Sequence, residues 1–363
     1  MKVIISGGGT GGHIYPAIAI GQKLEKEIKD VKIYYVGIKG GPEESIAHKY
    51  GYDFIDLPAM GIPRRLNKKL FRAIIKNLEG FRKAKKIIRE LKPDLVIGTG
   101  GYVCAPILYQ ASKAHIPSLV HESNSYPGMA SKFLSNKVDK VLISYKEAKK
   151  HFKYQENIVV TGNPVRTSFS LTYTDKDLDD LGIKKDRPVV FSFGGSNGSY
   201  YMNEAVKDLS AKLDGSYYLI HQTGKKNYED FLKEASESPY LKVFAYIDNI
   251  DLFYAVSDLV IASSGAMSLS EISAVGKASI LIPKSYTTEN HQQFNAQTYV
   301  DNKASIMILE KDLSADILDE KIKEIINDKA RLKEMGSRAK ALSDEDASDK
   351  IYEIIKGLIK DAK

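Results

Sequence analysis

Several short stretches of this chain hold side chains of the types and spacings that handle phosphates and sugars. The first is Gly7-Gly8-Gly9-Thr10-Gly11-Gly12-His13, directly after the apolar run Val3-Ile4-Ile5. A strand that breaks into glycines and then opens a helix gathers backbone N–H groups and a helix dipole at one point, where an anion can sit. Glycines also let a ligand touch that backbone with no Cβ in the way. His13 is the titratable side chain of the loop, so a phosphate or sugar bound there lies beside a ready proton acceptor. The plainer alternative is a tight turn carrying a surface histidine. The string also satisfies G-x-G-x-x-G through Gly7, Gly9 and Gly12, a weak signal by itself.

Further along, the apolar run ending at His121 is followed by three polar side chains, Glu122, Ser123 and Asn124, where α/β sheets bind ligands. Ser263-Ser264-Gly265-Ala266 starts a helix with unpaired N–H groups suited to a phosphate. Glu271, about one turn inside that helix, is placed to reach a ribose diol; otherwise it is a solvent-facing glutamate. Two more glycine loops, Gly98-Thr99-Gly100-Gly101-Tyr102 and Gly194-Gly195-Ser196-Asn197-Gly198, also follow apolar runs.

The elements that must position these groups are legible in the hydrophobic pattern. Strands are expected near 3–5, 32–37, 53–57, 94–98, 118–121, 141–144 and 158–160. In the second half they are expected near 189–193, 217–220, 242–245, 259–261 and 279–282. Helices of about ten to fifteen residues separate most of them, as a parallel sheet requires. The first helix is expected to begin at Tyr15 or Pro16. The turn Gly162-Asn163-Pro164-Val165-Arg166 and the polar stretch 172–187 mark a hinge between two doubly wound domains. The last helix, near 347–359, is expected to cross back onto the first domain.

Composition narrows the class. A chain of 363 residues with 43% hydrophobic content fits two globular domains. Its single cysteine, Cys104, excludes an internal disulfide framework and fits a reducing compartment. The first apolar run is too short for a secretory signal. Gly37-Ile38-Lys39 stands where a dinucleotide-binding unit wants an acidic residue for the ribose, so NAD is disfavoured. Neither a P-loop nor a G-x-S-x-G elbow is present. One cysteine and scattered histidines give no metal tetrad, and Asp175-Lys176-Asp177 and Asp344-Glu345-Asp346 follow no strand. No cofactor or metal is therefore expected.

A net charge of +7 permits an acidic partner, and the stretch 64–92 shows where the excess lies. It holds twelve lysines and arginines against Glu79 and Glu90, interleaved with Leu66, Leu70, Phe71, Ile74, Ile75, Leu78 and Phe81. From Leu66 to Leu78 this pattern suits a helix on an anionic membrane surface, the alternative being a basic helix packed on the core. Ile87, Ile88 and Leu91 read as core-facing. No nucleic-acid reading motif is present.

Seven ordered stretches carry a resemblance over most of the chain: GGGTGGHIYPAIAI, GTGGYVCAP, HESNSYPGMASKFLS, TGNPVR, FGGSNGS, SSGAMSLSEISAVGKASILIP and HQQFNA. They resemble the MurG family of UDP-N-acetylglucosamine transferases, which complete lipid II in bacterial peptidoglycan synthesis. The resemblance implies a GT-B fold, two Rossmann-like doubly wound parallel-sheet domains facing across a cleft. Residues 1–165 would form the acceptor and membrane-side domain, capped by 343–363, and residues 166–342 the UDP-GlcNAc domain. It implies inverting transfer of N-acetylglucosamine to the muramyl 4-hydroxyl of undecaprenyl-pyrophosphoryl-MurNAc-pentapeptide (lipid I), at the cytoplasmic face of the cell membrane.

By the same resemblance, Ile247 would meet the uracil through its backbone and Glu271 the ribose diol. Ser196 and the N–H groups around Ala266, Met267 and Ser268 would hold the diphosphate, with Leu269 and Ser270 also at the UDP-GlcNAc site. Arg166 and Gln292 would also bind the donor, Gln292 at the sugar. Thr10, Gly11, Gly12 and Asn124 would complete the sugar and acceptor pockets, and Gly100, Gly101 and Tyr102 would face the lipid pyrophosphate. His13 would be the base, with Glu122 as the competing base or the group orienting the acceptor. Two departures stand out: many relatives have a basic residue in place of Ser263 and a glutamine in place of Ser123. A GT-B transferase acting from UDP-galactose on a diacylglycerol, and a non-catalytic nucleotide-sugar sensor, share the same donor features.

Overall fold

In a computed structural model the chain forms two compact units, Met1–Arg166 with Asp344–Lys363, and Thr167–Ser343. The structure describes residues 1–62, 68–164, 171–195, 197–287, 290–343 and 346–361.

The first unit alternates strands and helices: β1 (Lys2–Ser6), α1 (Gly11–Glu27), β2 (Lys32–Gly37), α2 (Pro42–Lys49), β3 (Asp53–Asp56), α3 (Lys68–Leu91), β4 (Leu95–Gly98), α4 (Cys104–Lys113), β5 (Ser118–Glu122), α5 (Met129–Leu134), β6 (Lys140–Ile143) and β7 (Ile158–Val160). All seven strands are parallel, in the order β3-β2-β1-β4-β5-β6-β7. The order reverses between β1 and β4, so the loops after these two strands open at a topological switch point. Alternation along β1 feeds two cores. Val3 and Ile5 pack with Ile14, Ile18 and Leu24 of α1, while Ile4 packs with Val96, Ile107 and Leu108 on the other face. The final helix joins the first of these cores through Ile351 and Ile355.

The second unit runs α6 (Asp175–Leu181), β8 (Val189–Phe193), α7 (Tyr200–Ser210), β9 (Tyr218–Gln222), α8 (Tyr228–Glu234), β10 (Leu241–Phe244), α9 (Ile250–Val256), β11 (Leu259–Ala262), α10 (Ala266–Val275), β12 (Ala278–Leu281), α11 (His291–Asp301), β13 (Ser305–Met307), α12 (Ala315–Ile326) and α13 (Lys329–Ala341). The helix closing the chain, α14 (Ala347–Asp361), belongs to the first unit. The six strands are parallel in the order β10-β9-β8-β11-β12-β13, with the switch point between β8 and β11.

Two sequence expectations need correction. The first helix begins at Gly11, not at Tyr15 or Pro16, so His13 lies in its first turn. Glycine's low helix propensity hides that start, and burial of Ile14, Ala17 and Ile18 overrides it. The edge strand β13 was not foreseen, because Ser305-Ile306-Met307 lacks the β-branched run that marks the equally short Ile158-Val159-Val160. Asp175-Lys176-Asp177 is a helix start: Asp177 accepts hydrogen bonds from the backbone and hydroxyl of Thr174.

Helix α3 docks in an unusual way. Its inward residues are small, Ala73, Gly80 and Ala84, and a Cβ on Gly80 would stand 2.2 Å from the Pro58 carbonyl. Asn77 fastens the helix by exchanging two 2.9 Å hydrogen bonds with the backbone of Met60. The large apolar residues of the same turns point outward: Phe71 is 68% exposed, Ile75 52% and Leu78 53%. Further along, Ile88 is buried, and Ile87 and Leu91 pack against the core. Leu66 lies outside the described residues.

Candidate functional site

In the first unit, the loops after β1 and β4 meet backbone to backbone. Gly101 has φ +78°, and a Cβ on it would lie 2.5 Å from the Gly8 oxygen. A Cβ on Gly7 would lie 2.1 Å from the Thr99 hydroxyl, which donates a 2.6 Å hydrogen bond to the His13 carbonyl. These glycines exist to allow contact between two strand ends.

His13 is fixed within this contact. Its Nδ1 lies 3.1 Å from the Gly8 carbonyl oxygen and 3.3 Å from the Thr10 hydroxyl. A carbonyl only accepts, so in the neutral ring Nδ1 carries the hydrogen and Nε2 keeps its lone pair. The ring lies against Gly100, where a Cβ would come within 2.9 Å of Nε2. Gly11 and Gly12 begin the helix whose N-cap, Thr10, makes no side-chain cap bond, and no acidic residue occupies its first turn. Tyr102 is exposed at the edge of the same loops.

A residue the sequence did not flag holds this arrangement from behind. Glu43 is fully buried, and its carboxylate accepts from the backbone N–H of Gly9 at 3.2 Å and of Ile38 at 3.1 Å. It ties the glycine loop to the end of β2. No motif betrays it, because its partners are backbone groups.

Glu122 is buried at the end of β5 and saturated with donors. One carboxylate oxygen accepts from Asn124 N (3.0 Å) and Nδ2 (2.9 Å). The other accepts from Gly128 N (2.9 Å) and the Ser131 hydroxyl (2.7 Å). Four donors occupy the lone-pair sites of the carboxylate, which organises the loop 123–128 and orients Asn124. His121 Nε2 donates to the Gly162 carbonyl (2.9 Å) and Asn163 Nδ2 to the Ser123 carbonyl (3.2 Å), joining this loop to the 162–164 turn. Burial pushes His121 below the ordinary histidine range.

In the second unit, the loops after β8 and β11 open side by side at the switch point. Helix α10 starts at N-cap Gly265 with no side-chain cap and no acid in its first turn. The N–H groups of Ala266, Met267 and Ser268 therefore point out of the helix start, with the positive end of its dipole. Leu269 N–H already bonds Gly265 O, and the Ser270 hydroxyl bonds Ala266 O. Glu271 accepts a 3.2 Å hydrogen bond from the Tyr254 hydroxyl. Gln292, largely buried, accepts from Lys284 N at 3.0 Å.

Gln222, also missed from the sequence, links two parts of this site. Its Nε2 donates to the Gly195 carbonyl (3.1 Å), and its Oε1 accepts from Ile247 N–H (2.9 Å). Beneath it, His221 bridges the Ser192 hydroxyl and Asn203 Oδ1, each at 3.1 Å, and Asn203 Nδ2 bonds the Thr223 carbonyl. Burial pushes His221 down to about 3. A Cβ on Gly198 would stand 1.9 Å from that Thr223 carbonyl, so the network seats the glycine loop. Arg166 and Ser196 lie outside the described residues.

The chain resembles known proteins over nearly its whole length. Residues 3–143 match the glycosyltransferase family 28 N-terminal domain, and residues 189–351 its C-terminal domain. The chain belongs to glycosyltransferase family 28. Two relatives bear the name UDP-N-acetylglucosamine–N-acetylmuramyl-(pentapeptide) pyrophosphoryl-undecaprenol N-acetylglucosamine transferase. That of Finegoldia magna is 47% identical, covering 98% of both chains, and that of Acetivibrio thermocellus is 42% identical, covering 99% of both. The crystal structure of Acinetobacter baumannii MurG shares the fold, with a TM-score of 0.77 at 23% identity over 98% of this chain and 99% of that one. This family 28 glycosyltransferase therefore has the GT-B fold, two parallel-sheet α/β domains. Among its described residues no helix is long and apolar enough to cross a membrane.

Proposed function

We propose that this glycosyltransferase moves N-acetylglucosamine from UDP-GlcNAc to the 4-hydroxyl of the muramyl sugar of lipid I, with inversion, forming lipid II. The observation that carries the reading is His13. Its Nδ1–H is committed to the Gly8 carbonyl and its Nε2 lone pair is available as a base, inside a loop of backbone donors. The second unit holds the donor. Ile247 meets the uracil through its carbonyl, since its N–H is bonded to Gln222. Glu271 takes the ribose diol, and the α10 start at Ala266, Met267 and Ser268 takes the diphosphate. Leu269 and Ser270 support that turn. In this unit Gln292 takes the donor sugar; in the first unit Thr10, Gly11, Gly12 and Asn124 are sugar-binding residues, and Arg166 and Ser196 add contacts to the donor.

His13 Nε2 takes the proton of the acceptor hydroxyl as that oxygen attacks the anomeric carbon, the C–O bond to UDP breaks, and the electron pair leaves with the diphosphate. Dipole and N–H groups stabilise the leaving charge. Glu122 is a positioning residue, and Gly100, Gly101 and Tyr102 face the acceptor pyrophosphate. The outward apolar residues of α3, flanked by Arg72, Lys76 and Arg82, rest on the anionic cytoplasmic face of the membrane, where the lipid acceptor resides.

The stereochemistry tests the reaction. Product made from UDP-α-GlcNAc and a short-chain lipid I analogue is expected to show a β linkage by NMR coupling constants. An α linkage contradicts direct displacement. For the membrane contact, Phe71→Ser with Ile75→Ser should lose co-sedimentation with anionic vesicles while keeping UDP affinity. Unchanged vesicle binding contradicts the α3 assignment.

A further inference from the structure

The second unit carries a group of unused hydroxyls. Ser199, Ser263 and Ser264 are each at least nine-tenths buried, and their hydroxyls have no hydrogen-bond partner among the described residues. Leaving a buried hydroxyl unpaired costs about 1–3 kcal/mol, so three in the segments after two adjacent strands call for a ligand. All three stand at the switch point. Ser199 is the N-cap of α7, following the glycine loop of β8, and Ser263 and Ser264 follow the adjacent β11. Neither α7 nor α10 has a side-chain cap or an acid in its first turn.

A cation reaches across this spot. Lys284 follows β12, two strands away from β8 in the sheet, yet its Nζ donates a 2.6 Å hydrogen bond to the Gly198 carbonyl. To make that bond the side chain must pass over the end of the intervening β11, where Ser263 and Ser264 sit. An ammonium has three donors, and Gly198 uses one of them. The half-buried stem loses solvent, which pushes the ammonium below the ordinary lysine range despite the opposing charge of Glu310. Glu310 itself is engaged by the Ser285 backbone and hydroxyl, at 2.8 and 2.6 Å. A partly desolvated cation binds an anion more strongly than one in water.

We propose that Lys284 is a donor-site residue whose ammonium, with the hydroxyls of Ser199, Ser263 and Ser264, binds the diphosphate of the nucleotide sugar. This rests on the reading of the second unit as the UDP-GlcNAc site. It adds a positive charge beside the neutral N–H groups and hydroxyls of the α10 start. Lys284 also couples the diphosphate to the sugar pocket, because its own backbone N–H holds Gln292.

Calorimetric titration of the full chain with uridine, UMP, UDP and UDP-GlcNAc tests this. In Lys284→Met, affinity for UDP and UDP-GlcNAc should fall about 10- to 100-fold while uridine affinity holds within about twofold. Lys284→Arg should restore most of the loss. Ser263→Ala with Ser264→Ala removes hydroxyls that hold nothing in the protein, so this variant should fold and show the same diphosphate-selective loss. Unchanged UDP affinity in both variants, or an equal loss for uridine and UDP, overturns the assignment and leaves the donor reading standing. Wild-type protein that binds no uridine nucleotide overturns the donor reading, and this inference with it.

Discussion

The Nδ1 of His13 stands 3.1 Å from the carbonyl oxygen of Gly8, and this hydrogen bond decides which nitrogen of the neutral ring keeps its lone pair. That nitrogen is Nε2, and the ring lies against Gly100. His13→Ala should lower turnover by about 10²–10⁴-fold, the usual contribution of a positioned general base. UDP-GlcNAc affinity, measured by calorimetry, should stay nearly constant. Undiminished turnover would make His13 structural only.

Gly100 should be as sensitive as the histidine it accommodates. At φ +107° a side chain is strained, and its Cβ would lie 2.5 Å from His13 Cδ2. Gly100→Ala should therefore displace the imidazole and depress turnover. Gly51→Ala is the control, since Gly51 has φ +77° and nothing within 4 Å of an added Cβ. Both variants should cost about 1–3 kcal/mol of stability through backbone strain, but the control should keep its turnover. Equal activity in the two would separate Gly100 from catalysis.

Much of this was legible in the sequence, and the exceptions have physical causes. Strand ends announced the loops after β1, β4, β8 and β11, because buried parallel strands are short apolar runs and glycines follow them. The switch-point geometry then follows from strand order. Glu43 and Gln222 stayed hidden because a single buried polar side chain bonding to backbone has no periodicity and no motif. Lys284 was indistinguishable from a solvated lysine until the strand order showed it crossing the end of β11. The apolar stripe of α3 was readable from its spacing, but its outward direction was not. Its inward stripe of Ala73, Gly80 and Ala84 was not, since small residues carry little hydrophobic signal.

Glu122 tests the difference between a base and a positioning residue. Glu122→Gln replaces one acceptor oxygen with an amide facing donors, which should cost about 1–3 kcal/mol in a denaturant melt. The loop 123–128 should loosen, raising KM for the acceptor more than it lowers kcat. A kcat loss matching His13→Ala, with KM and stability unchanged, would instead make Glu122 the base.

Acid stability follows from His221. Burial holds its folded-state pKa at about 3, below the 6.5 of an exposed histidine. Between these values the unfolded chain binds the proton and the folded chain does not, so stability falls as pH drops below about 6.5 and is constant above it. A shift of this size removes about 2 kcal/mol by pH 5, at 1.36 kcal/mol per pH unit. Thermal melts of the wild type should fall across that window. His221→Gln should be less stable at neutral pH but flatter with acid; a parallel pH profile would assign the acid sensitivity elsewhere, for example to His121.

The central claim concerns what the enzyme joins, and release of UDP measures it directly. UDP-GlcNAc and UDP-galactose are each offered with a lipid I analogue or with a diacylglycerol. The account predicts UDP release, with disaccharide product, only from UDP-GlcNAc and the muramyl acceptor, and loss of that signal in His13→Ala. Turnover with the diacylglycerol or with UDP-galactose would contradict it, as would nucleotide-sugar binding with no turnover on any acceptor.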